Sequence, residues 1–431
     1  MQKYSTYKPS NVEWLGEVPI HWKVSEIKHD LEFTTGFTPP TSNAELFDGD
    51  ITWVTIADMD QKYISNSKTK LTAEAVANAK AQIIPKGSLL YSFKLSIGKV
   101  AFAETDLYTN EAIACFLPNV KFNPNFLYYA FETYLHNYGK ENIYGALLLN
   151  REIIKAAKIT YPKFSEQTAI AAYLDQATAN IDQVISTKQK QLEKLEQYKQ
   201  SKIHECVTKG LNPDVTQKPS GIDWIGNVPS HWKVWRLKDE AEYILTGSTP
   251  STSVSEYYDN GTIKWFAPGS FNGEVTLDDA QKLINKKALD DGELKLFPKG
   301  CLFLIGIGAT IGKVAMIEED SSCNQQLNVI KPTVKLESRY LIYFMKIYED
   351  IIPKISQFTT LPIFNQTKTG QLNICIPPKK EQADIAKYLD HVSLNIKKEK
   401  SIIEQQIEKL KQYRKCLIHE CVTGKRKVVN D

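Results

Sequence analysis

The seventeen residues from Lys8 to Val24 return 210 positions later. Lys8-Pro-Ser-Asn-Val-Glu-Trp14-Leu-Gly16-Glu-Val-Pro19-Ile-His21-Trp22-Lys-Val24 is answered by Lys218-Pro-Ser-Gly-Ile-Asp-Trp224-Ile-Gly226-Asn-Val-Pro229-Ser-His231-Trp232-Lys-Val234, with eleven identities. An internal repeat of this length dictates that whatever the first copy folds into is built a second time. The correspondence continues in register. Thr35-Gly36-Phe37-Thr38-Pro39 pairs with Thr246-Gly247-Ser248-Thr249-Pro250, and Ser96-Ile-Gly98-Lys99 pairs with Thr310-Ile-Gly312-Lys313. Glu166-Gln167 and Tyr173-Leu174-Asp175 pair with Glu381-Gln382 and Tyr388-Leu389-Asp390. Ile203-His204-Glu205-Cys206 pairs with Ile418-His419-Glu420-Cys421. The offset drifts only from 210 to 215, so the copies are collinear.

Each copy has two parts. Short β-branched and aromatic runs broken by Gly, Pro, Asn and Asp predict a mixed α/β globule. A long helix follows. In the first copy Leu174, Ile181, Val184, Lys188, Leu195 and Tyr198 keep an alternating four-three spacing. In the second, Leu389, Ile396, Glu399, Ile403, Leu410 and Tyr413 do the same. A period near 3.5 over several heptads is what a helix–helix seam requires, so the two helices are expected to pair. Ser165 is the expected cap of the first helix, and Gly210 and Gly424 the expected stops. The expected class is α+β. Its divisions are a first globule at 1–160, a helix at 161–210, a linker at 211–220, a second globule at 221–375 and a helix at 376–425.

Composition does not announce a ligand. The chain of 431 residues has a formal net charge of +3, so a basic surface has to come from segregation of charge. Met1 to Trp14 is polar and no apolar run reaches the roughly 18 residues of a membrane span. A cytoplasmic protein without membrane contact is expected. The seven cysteines are scattered without a CxxC, which supports neither a zinc ribbon nor a disulfide framework.

Catalytic signatures are missing or broken. Gly306-Ile-Gly308-Ala-Thr-Ile-Gly312-Lys313 has its third glycine one residue late for a dinucleotide loop, and Ile307 and Val314 break a P-loop. A strand, a turn and a second strand is the better account. Asn123-Pro124-Asn125-Phe126 falls short of an adenine-methyltransferase tetrapeptide. Glu293-Leu-Lys295 after Asp278 or Asp279 has no counterpart in the first copy, which argues against a nuclease site. His204 with Cys206, and His419 with Cys421, splay around a helix and read as packing, not as metal ligands. No catalytic residue and no metal site is expected.

The duplicated Trp-x-Gly-x-Val-Pro-x-His-Trp, Thr-Gly-x-Thr-Pro, Ile-Gly-Lys-Val-Ala and Glu-Gln helix starts together resemble the specificity subunit of Type I restriction-modification enzymes over essentially the whole chain. The resemblance implies two target-recognition domains, each reading one half of a bipartite, asymmetric DNA site. Their helices would form an antiparallel coiled-coil spacer with pseudo-twofold symmetry. It also implies partners: double-stranded DNA, two methyltransferase subunits and, in the full complex, two restriction/translocase subunits. Those partners, not this chain, would carry S-adenosylmethionine, ATP and Mg. The rival reading is a two-headed adaptor that binds proteins, without DNA.

Polar side chains that could meet base edges, and lysines that could meet phosphates, are the candidates for contact. They are Thr35, Gly36, Thr38, Lys94, Ser96, Lys99, Asn110 and Glu111 in the first copy. In the second they are Gly247, Ser248, Thr249, Thr310, Lys313 and the triplet Asn324, Gln325 and Gln326. The four tryptophans of the opening motifs are expected to pack, not to stack on bases.

Overall fold

A computed structural model of the chain describes residues 2–94, 96–141, 147–356 and 362–428, with only the backbone at 140 and 141. The chain divides into two compact units. One comprises 1–188 and 405–431, the other 189–404. This partition cuts through both long helices, so each unit holds one globule, the start of one helix and the end of the other.

In the first unit the central sheet has five strands in the order Phe33–Thr35, Ile113–Phe116, Leu89–Ser92, Val100–Ala103 and Tyr63–Ile64. In the second the order is Ala241–Thr246, Leu327–Pro332, Leu302–Ile305, Val314–Ile317 and Thr276–Leu277. All neighbours are antiparallel except the last pair of each sheet. Successive side chains of a strand point to opposite faces, and here both faces are covered. Leu89, Tyr91 and Phe116 pack with Phe126 and Phe131 of the helix Pro124–Tyr134, while Leu90, Ile113 and Cys115 pack with Val54 and Ile84 on the other side. Leu302 and Leu304 face the helix Ser338–Ile347, and Phe303 and Ile305 face Phe266 and Phe297. Strands buried on both faces lose the apolar/polar alternation, which is why Cys301–Ile305 reads as one apolar run. Gly306 to Lys313 is the turn between antiparallel strands, as the broken loop signatures indicate.

The opening motif and the helix start of each copy form one polar node. Glu166, 4% exposed, accepts from Trp22 Nε1 (3.1 Å) and Tyr4 Oη (2.7 Å), and meets His21 Nε2 at 3.0 Å. Glu381 repeats this with Trp232 Nε1 (3.1 Å) and His231 Nε2 (2.8 Å). The neighbouring amide is used the same way twice. Gln167 accepts from Asn123 N (2.9 Å) and donates to Pro162 O (3.0 Å) and Lys121 O (3.2 Å). Gln382 accepts from Glu337 N (2.8 Å) and donates to Pro377 O (2.9 Å) and Lys335 O (3.1 Å). Trp22 and Trp232 are fully buried, and Trp14 and Trp224 stand edge-on to Tyr134 and Tyr348, so all four pack.

The long helices run Phe164–Lys209 and Lys379–Val422, each about 65–70 Å at 1.5 Å per residue. Ser165 lies inside the first turn and does not cap it, because the helix already begins at Phe164. Within the first unit the pairs Lys188–Gln406 (2.6 Å), Asp182–Arg414 (3.2 Å) and Tyr173–Arg426 (3.1 Å) run in opposite sequence directions. The helices are therefore antiparallel there. In the second unit, Glu196–Lys400 (3.0 Å) and the approach of Gly210 to Glu381 give the same sense.

The predicted stripe is displaced in places. Leu174 and Leu389 are fully buried in the globule cores, and Ile181 and Ile396 are nearly so. Leu195, Ile403 and Leu410 are half-buried. Val184, Tyr198 and Tyr413 are instead exposed, Ile185 is partly buried in place of Val184, and Lys400 makes the ion pair while Glu399 faces solvent. A helix that first packs on a globule and then on another helix changes the face it buries, and a single 3.5-residue stripe cannot follow that change. The stretch expected to be a linker also carries structure. Gln217–Pro219 pairs with Asn227–Pro229, as Tyr7–Pro9 pairs with Glu17–Pro19.

Helix ends and globules are joined within each unit by recurring contacts. Tyr134 Oη donates to Val422 O (3.0 Å) and Tyr340 Oη to Val207 O (3.3 Å). Burial lowers the pKa of His204 and of His419 below the ordinary 6.5, with Lys209 and Lys425 acting in the same direction. Cys206 and Cys421 are buried in the cores.

Candidate nucleic-acid interface

The Thr-Gly-x-Thr-Pro loop leaves the edge strand of each sheet and crosses a neighbouring turn at close range. Phe37 N donates to Thr109 O (2.9 Å), and Ser248 N donates to Cys323 O (2.9 Å). A Cβ on Gly36 would stand 1.7 Å from Thr109 O, and one on Gly247 would stand 2.0 Å from Cys323 O. These glycines are required by backbone approach, so their recurrence is a property of the scaffold. The loop threonines reach across to the same turn. Thr38 Oγ1 donates to Glu111 Oε2, and Thr249 Oγ1 donates to Gln325 Oε1 (2.6 Å). The hydroxyl of Thr38 holds the Glu111 carboxyl below its ordinary pKa, and Lys94 acts in the same direction.

The turn residues divide into builders and exposed groups. Asn110 Oδ1 accepts from Ala112 N (3.2 Å) and Asn324 Oδ1 from Gln326 N (3.1 Å), so both close the turn. Asn324 is 8% exposed and its amide also donates to Gln326 Oε1 (2.8 Å). Glu111 and Gln325 face solvent at equivalent places. The three-residue polar patch anticipated at 324–326 thus reduces to Gln325, with Gln326 half-buried beside it.

Between the middle strands, Gly98 and Gly312 turn the chain with φ of 102° and 93°, values that favour glycine. Lys94 is exposed above the Phe93 ring at 5.8 Å, and Ser96 and Thr310 are exposed on the same turns. Lys99 is not a free cation. It pairs with Asp60 (2.7 Å) and donates to Ile56 O (3.2 Å), and that pairing lowers the Asp60 pKa. Lys313 is half-buried, with no ion pair among the described residues.

Thr35, Gly36, Thr38, Lys94, Asn110 and Glu111 are therefore brought together around one sheet edge, while Lys99 is turned toward Asp60. In the second unit Gly247, Ser248, Thr249, Asn324 and Gln325 gather likewise. Two cations beside these loops are not among the contact candidates named from the sequence. Arg151 Nη1 donates to Thr35 Oγ1 (3.2 Å), and Lys295 Nζ donates to Thr246 O (3.3 Å). Lys295 belongs to this loop and not to a carboxylate–lysine set, since its backbone N also donates to Ser248 Oγ (3.1 Å). The two edges share a scaffold and differ in what they offer: the Glu111 carboxylate with Lys94 and Arg151 nearby in one, and the neutral Gln325 amide with Lys295 nearby in the other.

Comparison with known proteins decides the family. The model of the Type I restriction modification DNA specificity domain matches residues 19–194 and again 229–409. The chain belongs to this family. It is 28% identical over 426 residues to the Type I restriction enzyme MjaIX specificity subunit of Methanocaldococcus jannaschii, covering 96% of this chain and 95% of that protein. It is 26% identical to the putative type I restriction enzyme MjaX specificity subunit of the same organism, over 98% of each. Among solved structures, a chain from a study of complex assembly and conformational transition in a type I R-M system aligns with a TM-score of 0.73 at 17% identity, over 94% of this chain and 98% of that one. The HsdS subunit of Thermoanaerobacter tengcongensis aligns with a TM-score of 0.54 at 16% identity, over 95% and 98%. These two likenesses establish the shared fold. Among the described residues no helix is long and apolar enough to cross a membrane.

Proposed function

We infer that the chain is the DNA-specificity subunit of a Type I restriction-modification system, with each globule reading one half of a bipartite, asymmetric site. One observation carries this: the specificity-domain family matches twice, and each match falls on a globule with the same scaffold and different exposed side chains. Two unlike half-sites need such a pair of readers. The net charge of +3 places any affinity for phosphate in local cations, not in an overall excess.

We propose further that two methyltransferase subunits carrying S-adenosylmethionine assemble with this chain in the cytoplasm. In the complete complex, two ATP- and Mg-dependent restriction/translocase subunits join them. On this reading the chain holds no cofactor and catalyses nothing; it selects the site at which its partners act. Its antiparallel helices serve as the spacer between the two readers.

The test is an exchange of readers. Residues 23–160 are moved into the place of 233–375, between the matching Trp-Lys-Val and Glu-Gln segments, and the methylated motif is sequenced in cells that also express the partner methyltransferase. A palindromic motif, the first half-site followed by its inverted repeat at nearly the native gap, is expected. A direct repeat, or an unchanged asymmetric motif, overturns the reading.

A further inference from the structure

Each globule returns to its long helix through a short helix that is capped in the same way. Asn150 Oδ1 accepts from Ile153 N (2.8 Å), and Asn365 Oδ1 accepts from Lys368 N (3.0 Å). The helices span Arg151–Ala156 and Gln366–Gly370. Both then lead into equivalent backbone bonds, Ile27 N to Ala157 O (2.9 Å) and Leu237 N to Leu372 O (2.7 Å). The residue after the cap is thus the same structural position twice. It is Arg151 in one unit and Gln366 in the other.

The position borders the edge strand that carries the candidate loop. Arg151 is exposed, bonds the Thr35 hydroxyl, and lies 5.9 Å from the centroid of the Phe33 ring. A neutral hydroxyl and a ring hold the guanidinium plane, and among the described residues no carboxylate forms an ion pair with it. Among the described residues its other guanidinium donors have no hydrogen-bond partner. Gln366 is half-exposed and lines a cleft of about 400 Å³ with Lys238, Tyr243 and Ile244. Its amide has no hydrogen-bond partner among the described residues.

We propose that this position reads a base in each half-site, with Arg151 recognising a guanine edge and Gln366 an adenine edge. The proposal rests on the specificity-subunit reading above. A phosphate is present at every half-site whatever its sequence, so a phosphate-holding position on a duplicated scaffold has reason to keep its charge. This one exchanges a cation for a neutral amide on the same backbone. The arginine fork matches guanine O6 and N7, and the glutamine amide matches adenine N6 and N7.

The experiment profiles methylation by the complex of this chain with its methyltransferase on DNA libraries randomised across both half-sites. The wild type is compared with R151K, R151Q and Q366R. R151K keeps the charge and loses the planar fork. It is expected to lower discrimination at one G·C pair of the first half-site by roughly 5- to 150-fold, with the salt slope unchanged. Q366R is expected to move one preference in the other half-site from adenine to guanine. Unchanged preferences in both Arg151 variants overturn the inference. So does a loss in R151Q that is uniform over all sequences with a salt slope shallower by about one, which marks a phosphate contact. A wild-type complex without any bipartite preference would instead overturn the function itself.

Discussion

Replacing Gln167 by leucine removes a buried amide and leaves its shape nearly filled. Three hydrogen bonds disappear: from Asn123 N at 2.9 Å, to Pro162 O at 3.0 Å and to Lys121 O at 3.2 Å. Lys121 is exposed, so its carbonyl can turn to water. Pro162 is buried and Asn123 half-buried, and Gln167 itself is 1% exposed, so two backbone groups lose their partners away from solvent. Each such group costs about 1–3 kcal/mol, and the added apolar contact returns a fraction, which gives about 2–4 kcal/mol in all. For a unit of this size each kcal/mol lowers the melting temperature by roughly 2–4 °C. The local reporter is amide exchange: the Asn123 N–H is expected to lose protection in Q167L while the Glu337 N–H keeps its own, and Q382L should do the reverse. Equal protection at Asn123 in wild type and Q167L, with a melting temperature within a degree, would refute the accounting of orphaned groups.

His204→Gln together with His419→Gln should flatten the acid limb of the stability curve. Both pKa values are depressed by burial, so the unfolded chain binds more protons, stability falls as pH drops below about 6.5, and denaturant titrations from pH 5 to 7 record the slope. Lys313→Ala should shallow the salt dependence of DNA binding by about one unit, and Lys99→Ala by less because Asp60 already holds that cation; fluorescence anisotropy at several salt concentrations measures both, and a larger change for Lys99 contradicts the ion-pair argument. Leu195→Pro or Leu410→Pro costs about 3 kcal/mol or more through a lost helical bond, and should abolish co-purification with the methyltransferase; normal assembly of both variants would remove the spacer role from the helices.

The duplication was legible because framework residues are repeated literally, and the helices because their apolar spacing persists for several heptads. The polar node was only half legible. Glu166 looks like an acid placed at a helix start to suit the dipole, and nothing local marks it as the acceptor for Trp22, His21 and Tyr4. The available signal was joint recurrence: His-Trp and Glu-Gln are unchanged in both copies, although ordinary surface positions between them differ. The displaced stripe at Val184 and Glu399 was not legible, since spacing reports that a helix is amphipathic and not which neighbour it meets at each turn. Among the candidate residues, turn-building and solvent-facing side chains fall on adjacent positions. Asn110 closes the turn and Glu111 points outward, a distinction decided by backbone geometry that residue type does not carry. Arg151 was not named because its region differs widely between the copies, and the capping asparagine before it was the cue.

The first unit is assembled from 1–188 and 405–431, which has a consequence for how the chain is made. Leu417, Ile418, Cys421 and Val422 belong to the same core as Trp22 and Phe126. On the ribosome, residues 189–404 must be synthesised in between, some 10–40 s at about 5–20 residues per second. Throughout that interval the first globule has emerged with an open apolar seat, and the Tyr134 hydroxyl, which also meets Thr160 Oγ1, still lacks its bond to Val422 O. The nascent first globule therefore waits as an incomplete body, exposed to chaperones and proteases. A chain cut short before residue 405 retains that open seat, because the residues that fill it, Leu417 to Val422, are made last.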